Sequence, residues 1–314
     1  MKPNKTLIYI ARNIWFLFWK KLMDGFAPSD INGNYKRPSS LQQVNKLKVD
    51  PEEIDNLYLL LGTSCPWCHR TLLFCNFVNL SKKINIVFLK PNLKNCQWTF
   101  KKKFFGFNNL AELYSKSNFN NVFRPTLPLL IKEKNLQIDI VSNESKEIIK
   151  LFEIHGKWGS EFRHKLSEFE KDLIENINND INDGVYKCGF ARDQRSYNKA
   201  SNKLFRRLEQ VENLIKNKGG KWIMGDQLTI ADFYLFPTII RWELIYKNLF
   251  KCSAKDLNEF SNIIMWRLNF FKLKGVSKTC NDKEWLIDYY KALFPLNPSQ
   301  IVPLQKSLSK ILNL

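Results

Sequence analysis

The hexapeptide Cys65-Pro66-Trp67-Cys68-His69-Arg70 stands between two apolar runs of different character. The run before it, Asn56 to Gly62, has the length and closing glycine of a buried strand. Beyond it, Leu72, Leu73, Phe74 and Phe77 have the spacing of a helix packed on a sheet. Cys65 is therefore expected in a strand-to-helix turn, at or just before the helix N-terminus. Unpaired N–H groups and the positive end of the helix dipole stabilise a thiolate there, lowering its pKa from about 8.5 toward neutral. Pro66 suits the first helical turn, where its missing N–H costs nothing. The local reading is a nucleophilic cysteine.

Other readings of these residues compete with it. C-x-x-C-H is also the attachment signature for c-type haem, with His69 as axial ligand, and that requires export to an oxidising compartment. A zinc site needs further ligands, and no second C-x-x-C or H-x-x-x-H occurs among the seven cysteines and three histidines. Both cysteines could also be small buried apolar residues.

The N-terminus bears on the compartment. The first twenty-five residues hold a basic start and the aromatic run Ile14 to Trp19, interrupted by Arg12 and Asn13 and ended by Lys20 and Lys21. That stretch is too short for a bilayer span, which takes about 20 apolar residues. It also lacks the small-residue cleavage site of a secretory signal. The default expectation is a short aromatic helix docked on the body, with interfacial contact with a membrane as the lesser alternative, and a reducing cytoplasm in which the cysteines are free thiols. The net charge of +19 comes from scattered lysines with no nucleic-acid motif. A solvated basic surface is expected, and no nucleic-acid partner.

In chain order, Ser39 to Glu53 is polar and reads as a connecting arm, and Lys83 to Lys90 as a second strand. This β-α-β unit with a cysteine at its first turn begins a thioredoxin-like sheet. Asn92 to Asn109 is expected to be a loop carrying Gln97-Trp98-Thr99-Phe100, and Leu110 to Ser117 a short helix. In Arg124-Pro125-Thr126-Leu127-Pro128, the second proline cannot donate within a ladder, so Pro128 is a candidate cis-proline. That would leave the Leu127 backbone open to an extended peptide ligand beside Cys65. Ile138 to Val141 reads as a strand, and Ser142-Asn143-Glu144-Ser145 leads into a helix over Lys146 to Phe152. Ser142 and Asn143 are good caps, and the helix start is a site for a ligand carboxylate.

Strand signals stop near residue 155. Leu204, Leu208, Val211 and Ile215 keep helical spacing up to Gly219-Gly220. Thr229 and Asp232 match a capping box, with Leu228 and Phe233 as the hydrophobic staple, so Asp232 is structural and not a catalytic acid. The organisation expected is an arm at 1–53, a thioredoxin-like α/β domain at 54–153 and an all-α domain with a C-terminal tail at 154–314.

That combination resembles the glutathione transferases. Gly184-Val185-Tyr186-Lys187-Cys188-Gly189-Phe190-Ala191 narrows the resemblance to the Xi class, the glutathionyl-hydroquinone reductases. Cys65-Pro66-Trp67 with His69-Arg70, Asn143-Glu144-Ser145, Phe250-Lys251-Cys252 and the tail Asn297-Pro298 with Ile301-Val302-Pro303 extend it over residues 30 to 305. The resemblance implies a glutathione-dependent oxidoreductase with glutathione as co-substrate, no metal and no haem. In that chemistry Cys65 attacks the sulfur of a glutathionylated hydroquinone, the hydroquinone leaves, and a second glutathione releases glutathione disulfide. It further implies glutathione binding by Trp98, Arg124, Leu127, Pro128, Glu144 and Ser145, tyrosines Tyr186, Tyr246 and Tyr289 around the hydroquinone, and a homodimer.

Two departures matter. Cys68 stands where the family usually has alanine; it is either a resolving thiol, as in dithiol glutaredoxins, or an inert buried replacement. Ile131-Lys132 stands where the family commonly has Trp-Asp. The competing functions are a glutaredoxin-like thiol transferase or dehydroascorbate reductase using Cys65 and Cys68, and a non-catalytic ligand-binding module.

Overall fold

Helix α1 (Lys5–Phe26) begins on Asn4, whose side chain accepts from the Thr6 amide. Only its last turns reach the rest of the protein. Met23 is fully buried, Trp19 Nε1 donates to the Pro295 carbonyl at 2.9 Å, and the Phe26 ring sits edge-on to Phe294. The expected docking is confined to that end. Apolar side chains emerge on most sides of the helix, so no single face can bury them all on one body. The structure, a computed structural model, describes residues 4–38, 51–117, 124–135, 137–157, 162 and 165–314. Most of the expected arm at 39–53 lies outside them.

The α/β unit contains β1 (Leu57–Gly62), α2 (Pro66–Phe77), β2 (Asn85–Pro91), β3 (Trp98–Phe104), β4 (Phe107–Asn109), α3 (Leu110–Lys116), β5 (Leu129–Lys134), β6 (Gln137–Ser142) and α4 (Ser145–His155). The sheet order is β4-β3-β2-β1-β5-β6, and only β1 and β2 run parallel, joined by the α2 crossover. Leu57, Leu59, Leu60 and Leu61 of the central β1 are buried, as a strand covered on both faces requires. The thioredoxin-like sheet is thus present.

The loop expected over Asn92 to Asn109 is instead largely the hairpin β3–β4. Phe105 and Gly106 both have positive φ between the paired Phe104 and Phe107, the condition of a two-residue turn matched to strand twist. Lys101 to Lys103 hid this strand by breaking the alternation of apolar residues; lysines near a sheet edge discourage further pairing.

All elements described after α4 are helical. The α-helices are α5 (Glu168–Asn176), continuing through π-helical turns Ile177–Asn182 into α6 (Asp183–Gly189), then α7 (Gln194–Lys218), α8 (Ile230–Ile239), α9 (Ser261–Phe271), α10 (Asp282–Ala292) and α11 (Leu308–Ile311), with a further π-helical turn at Trp242–Tyr246 and short 3-10 turns at Leu257–Glu259 and Ser277–Thr279. Every residue of α8 is buried, and its Phe233 meets Phe74 and Phe77 of α2 at 5.2 Å between ring centroids. This contact ties the turn helix to the helical unit. The capping box forms as expected: Asp232 Oδ2 accepts from Thr229 N and Oγ1, and Oδ1 from Ile223 N and Trp266 Nε1. Asp232 is wholly buried and structural.

Candidate active site

Cys65 is the N-cap residue of α2, extended at φ −71° and ψ 124°, with Pro66 at the first helical position. Its thiol is partly exposed and lies 3.8 Å from the Leu127 carbonyl. Burial resists ionisation, but the Cys68 thiol, the Cys68 amide, the Arg37 guanidinium and the Trp67 amide together favour the anion. They lower the Cys65 pKa to about 7. Cys68 behaves oppositely. It is buried, and burial plus the neighbouring Cys65 charge push its pKa up. Cys68 therefore keeps its proton and donates to Cys65, while its sulfur accepts from the Gly62 amide at 3.2 Å.

His69 is not presented to a ligand. Its Nδ1 is paired with Arg241 and its Nε2 with Thr279, each at 2.8 Å, in a buried setting. An axial role toward haem has no free ring nitrogen to use. Among the described residues no cluster of histidine, cysteine and carboxylate side chains could hold a metal ion.

Two adjoining lobes meet at Cys65, Trp67 and Trp98. The first, about 270 Å³, is lined by Arg37, Arg124, Leu127, Pro128, Glu144 and Ser145, with Met23 and Phe26 closing one side. The second, about 260 Å³, is lined by Ser64, Tyr186, Asp288, Tyr289 and Leu293. The Leu127–Pro128 bond is cis, as the sequence suggested. Gly62 has a local reason: a Cβ there would meet the Trp98 ring at 2.6 Å, so the indole lies against bare backbone.

The start of α4 differs from expectation. Glu144 is the N-cap and no side chain caps the helix; Ser142 Oγ instead accepts from Glu144 N, and Asn143 donates to Thr126 Oγ1 at 3.2 Å. Ser142 is thus spent on the turn itself, and Asn143 on tying the turn to the loop before β5. Ser145 Oγ accepts from Arg70 Nε at 3.0 Å, and Arg70 also reaches Asn178 Oδ1 at 2.8 Å. A guanidinium behind the serine leaves the hydroxyl proton free to donate and adds positive charge to the helix start. Burial raises the Glu144 pKa, while Arg37 and Arg70 oppose the rise. Arg124 is exposed, and its Nη1 donates to the Phe26 carbonyl at 3.1 Å.

The three tyrosines come together. Tyr186 and Tyr289 hydroxyls are 2.7 Å apart, and those of Tyr246 and Tyr289 3.2 Å. Burial raises all three pKa values, so the phenols stay protonated donors near neutrality. Tyr289, and not the adjacent Tyr290, faces the cleft; Tyr290 turns to Gln305. Tyr246 departs from its expected place around a ligand. It is entirely buried and lines neither lobe, so it acts on the site through Tyr289.

Sequence reasoning missed three contributors. Arg37 stacks on Trp67 at 3.5 Å and pairs with Asp183 at 2.8 Å, yet it comes from the N-terminal arm with nothing local to mark it. Arg70 closes the cysteine motif, and nothing local in the sequence marks its distant partners Ser145 and Asn178. Asp288 lines the second lobe beside Thr63 and Ser64; burial raises its pKa to about 6 against the hydrogen bonds from those two residues. Its position one residue before Tyr289 was the only available signal.

Residues 170–273 match the glutathione S-transferase C-terminal domain. Over 263 residues the chain is 30% identical to glutathionyl-hydroquinone reductase YqjG of Escherichia coli (strain K12), covering 80% of this chain and 79% of that one. The glutathione-bound structure of YqjG, described as a glutathione transferase homolog, superposes with a TM-score of 0.73 at 28% identity, covering 81% and 86% of the two chains. Glutathione transferase Xi 1 from Trametes versicolor gives a TM-score of 0.77 at 28% identity, covering 86% and 98%.

Proposed function

The chain belongs to the Xi-class glutathione transferase family, and from that premise we propose that it reduces glutathionyl-hydroquinones to hydroquinones at the expense of glutathione. The observation that carries the reading is a thiol with a pKa of about 7 where a charged, peptide-sized lobe meets a lobe walled by phenols. Residues 54–153 form the glutathione-binding unit and 154–314 the helical unit. The active species is a homodimer in a reducing, cytoplasmic setting.

Glutathione occupies the first lobe. Leu127, held by cis-Pro128, pairs with the peptide backbone, Glu144 takes the amine, and Ser145 with the uncapped helix start takes the γ-glutamyl carboxylate. Trp98 and Arg124 flank the glycyl end. The Cys65 thiolate attacks the sulfur of the conjugate, forming an S–S bond as the carbon–sulfur bond breaks. The ring carbon leaves with that electron pair and takes a proton, which neutral Tyr186 or Tyr289 can donate, with Tyr246 holding Tyr289 in place. A second glutathione attacks the mixed disulfide, releasing glutathione disulfide and restoring the thiolate. Ring carbon is reduced and two thiols are oxidised, so the electrons balance. Steady-state turnover of glutathionyl-menadiol with glutathione tests this: wild type is expected to release menadiol and glutathione disulfide in equal amounts, and Cys65→Ser neither.

The Cys68 hydrogen bond supports a second reading, a glutaredoxin-like thiol transferase or dehydroascorbate reductase. There Cys68 attacks the mixed disulfide, releasing glutathione and leaving a Cys65–Cys68 disulfide. Turnover of a small glutathione mixed disulfide that is lost in Cys68→Ala, with no turnover of glutathionyl-menadiol in wild type, would favour it.

A further inference from the structure

The N-terminal half of α1 stands clear of the body, and Trp15 and Phe18 beyond it keep much of their surface in solvent although each borders a crevice against the body. Leu7, Ile14, Trp15 and Phe18 are 66%, 62%, 54% and 57% exposed. Their offsets of seven, eight and eleven residues put them on one side of the helix. Exposed apolar surface of this extent marks a site of association.

The charges identify the associate. From Lys5 to Lys21 the helix carries Lys5, Arg12, Lys20 and Lys21 and no acid. Its one acid, Asp24, is paired with Arg192 at 3.2 Å. Two such helices packed together would oppose four cations with four cations, without a carboxylate to compensate. An anionic surface meets them with opposite charge. Among the described residues no helix is long and apolar enough to cross a membrane, and Arg12-Asn13 interrupt the apolar run. Such a helix lies in the plane of the interface, apolar side down and lysines at headgroup level. We propose that α1 is an in-plane anchor for membranes bearing anionic lipids. This favours the lesser of the two sequence expectations for the helix and does not depend on the reading of the cleft. Because Met23 and Phe26 close one side of the first lobe, the anchor would set the cleft near the bilayer.

The test is sedimentation of the full chain with phosphatidylcholine vesicles, with and without phosphatidylserine. Wild type is expected to sediment with the serine-containing vesicles, with a blue shift in tryptophan emission, and to be released by salt. Ile14→Glu should weaken binding at least about tenfold by placing a charge in the apolar face. Arg12→Gln with Lys20→Gln, which lie on the opposite side of the helix from that face, should weaken it about 25-fold, at roughly fivefold per charge. Equal binding to neutral and anionic vesicles, or binding unaffected by either change, would overturn the proposal. So would no vesicle binding together with a dimer that Ile14→Glu dissociates, which would make a second copy the occupant.

Discussion

Replacing Cys68 by alanine removes the donor that most favours the Cys65 thiolate and leaves the turn, Pro66 and the helix start in place. A hydrogen bond to a charged, partly buried sulfur contributes about 1.5–3 kcal/mol, or about 1–2 pKa units. From about 7, the Cys65 pKa is thus expected to return to the ordinary thiol range, near 8.5. At pH 7 the thiolate fraction then falls from about one half to about one in thirty. A more basic thiolate is intrinsically about fivefold more nucleophilic, for a Brønsted coefficient near 0.45. Against a small aromatic disulfide, the variant should therefore react about threefold more slowly at pH 7 and about fivefold faster at pH 10. The assay is a stopped-flow pH profile, with the rate of Cys65→Ser subtracted to remove other thiols. Crossing profiles are the expected signature. An unchanged midpoint, or a variant slower by the same factor at every pH, would refute the assignment of Cys68 as the stabilising donor.

Other outcomes follow from the same geometry. Asp288 binds its proton more tightly folded than unfolded, so wild-type stability should fall as pH rises from about 4 to 6 through this group. In urea unfolding, Asp288→Asn should gain about 1 kcal/mol over wild type at pH 7.5, with no gain below about pH 4, allowing for solvent screening. Gly62→Ala should push the Trp98 ring out of place, costing about 1–3 kcal/mol in denaturation and raising the KM for glutathione. Arg70→Met should leave Ser145 and Asn178 without their buried donor, lower stability by about 3 kcal/mol, and raise that KM more than it lowers kcat.

Much of this site was legible because its rules are local. The strand, cysteine turn and helix from Leu57 to Phe77 follow from hydrophobic period and the placement of Pro66, and the Thr229–Asp232 cap from spacing alone. Cis-Pro128 was foreseeable because a proline at a strand mouth has few places to go. The hairpin Trp98 to Asn109 was missed because three lysines in succession obscure a strand one place in from the sheet edge, although Phe105-Gly106 carried a turn signal. Ser142 and Asn143 looked like caps from composition, yet Ser142 bonds within the turn and Asn143 reaches back to Thr126, which leaves the helix start uncapped by side chains. Arg37 reaches Trp67 from thirty residues upstream, and Tyr246 retreats behind Tyr289. Such long-range placements have no periodic trace in a single sequence. Helix α1 docks as expected only at its last turns, because its apolar side chains emerge on most sides and one body cannot cover them all.

Attack by Cys65 on the conjugate's sulfur is isolated by a single turnover of Cys68→Ala with glutathionyl-menadiol and no free glutathione. Denying Cys68 the chance to resolve the adduct lets the first step stand alone. One menadiol is expected per active site, with one glutathione disulfide-bonded to the peptide containing Cys65, identified by mass spectrometry. Menadiol release that persists in Cys65→Ser, or a glutathione adduct on any other cysteine, would contradict it.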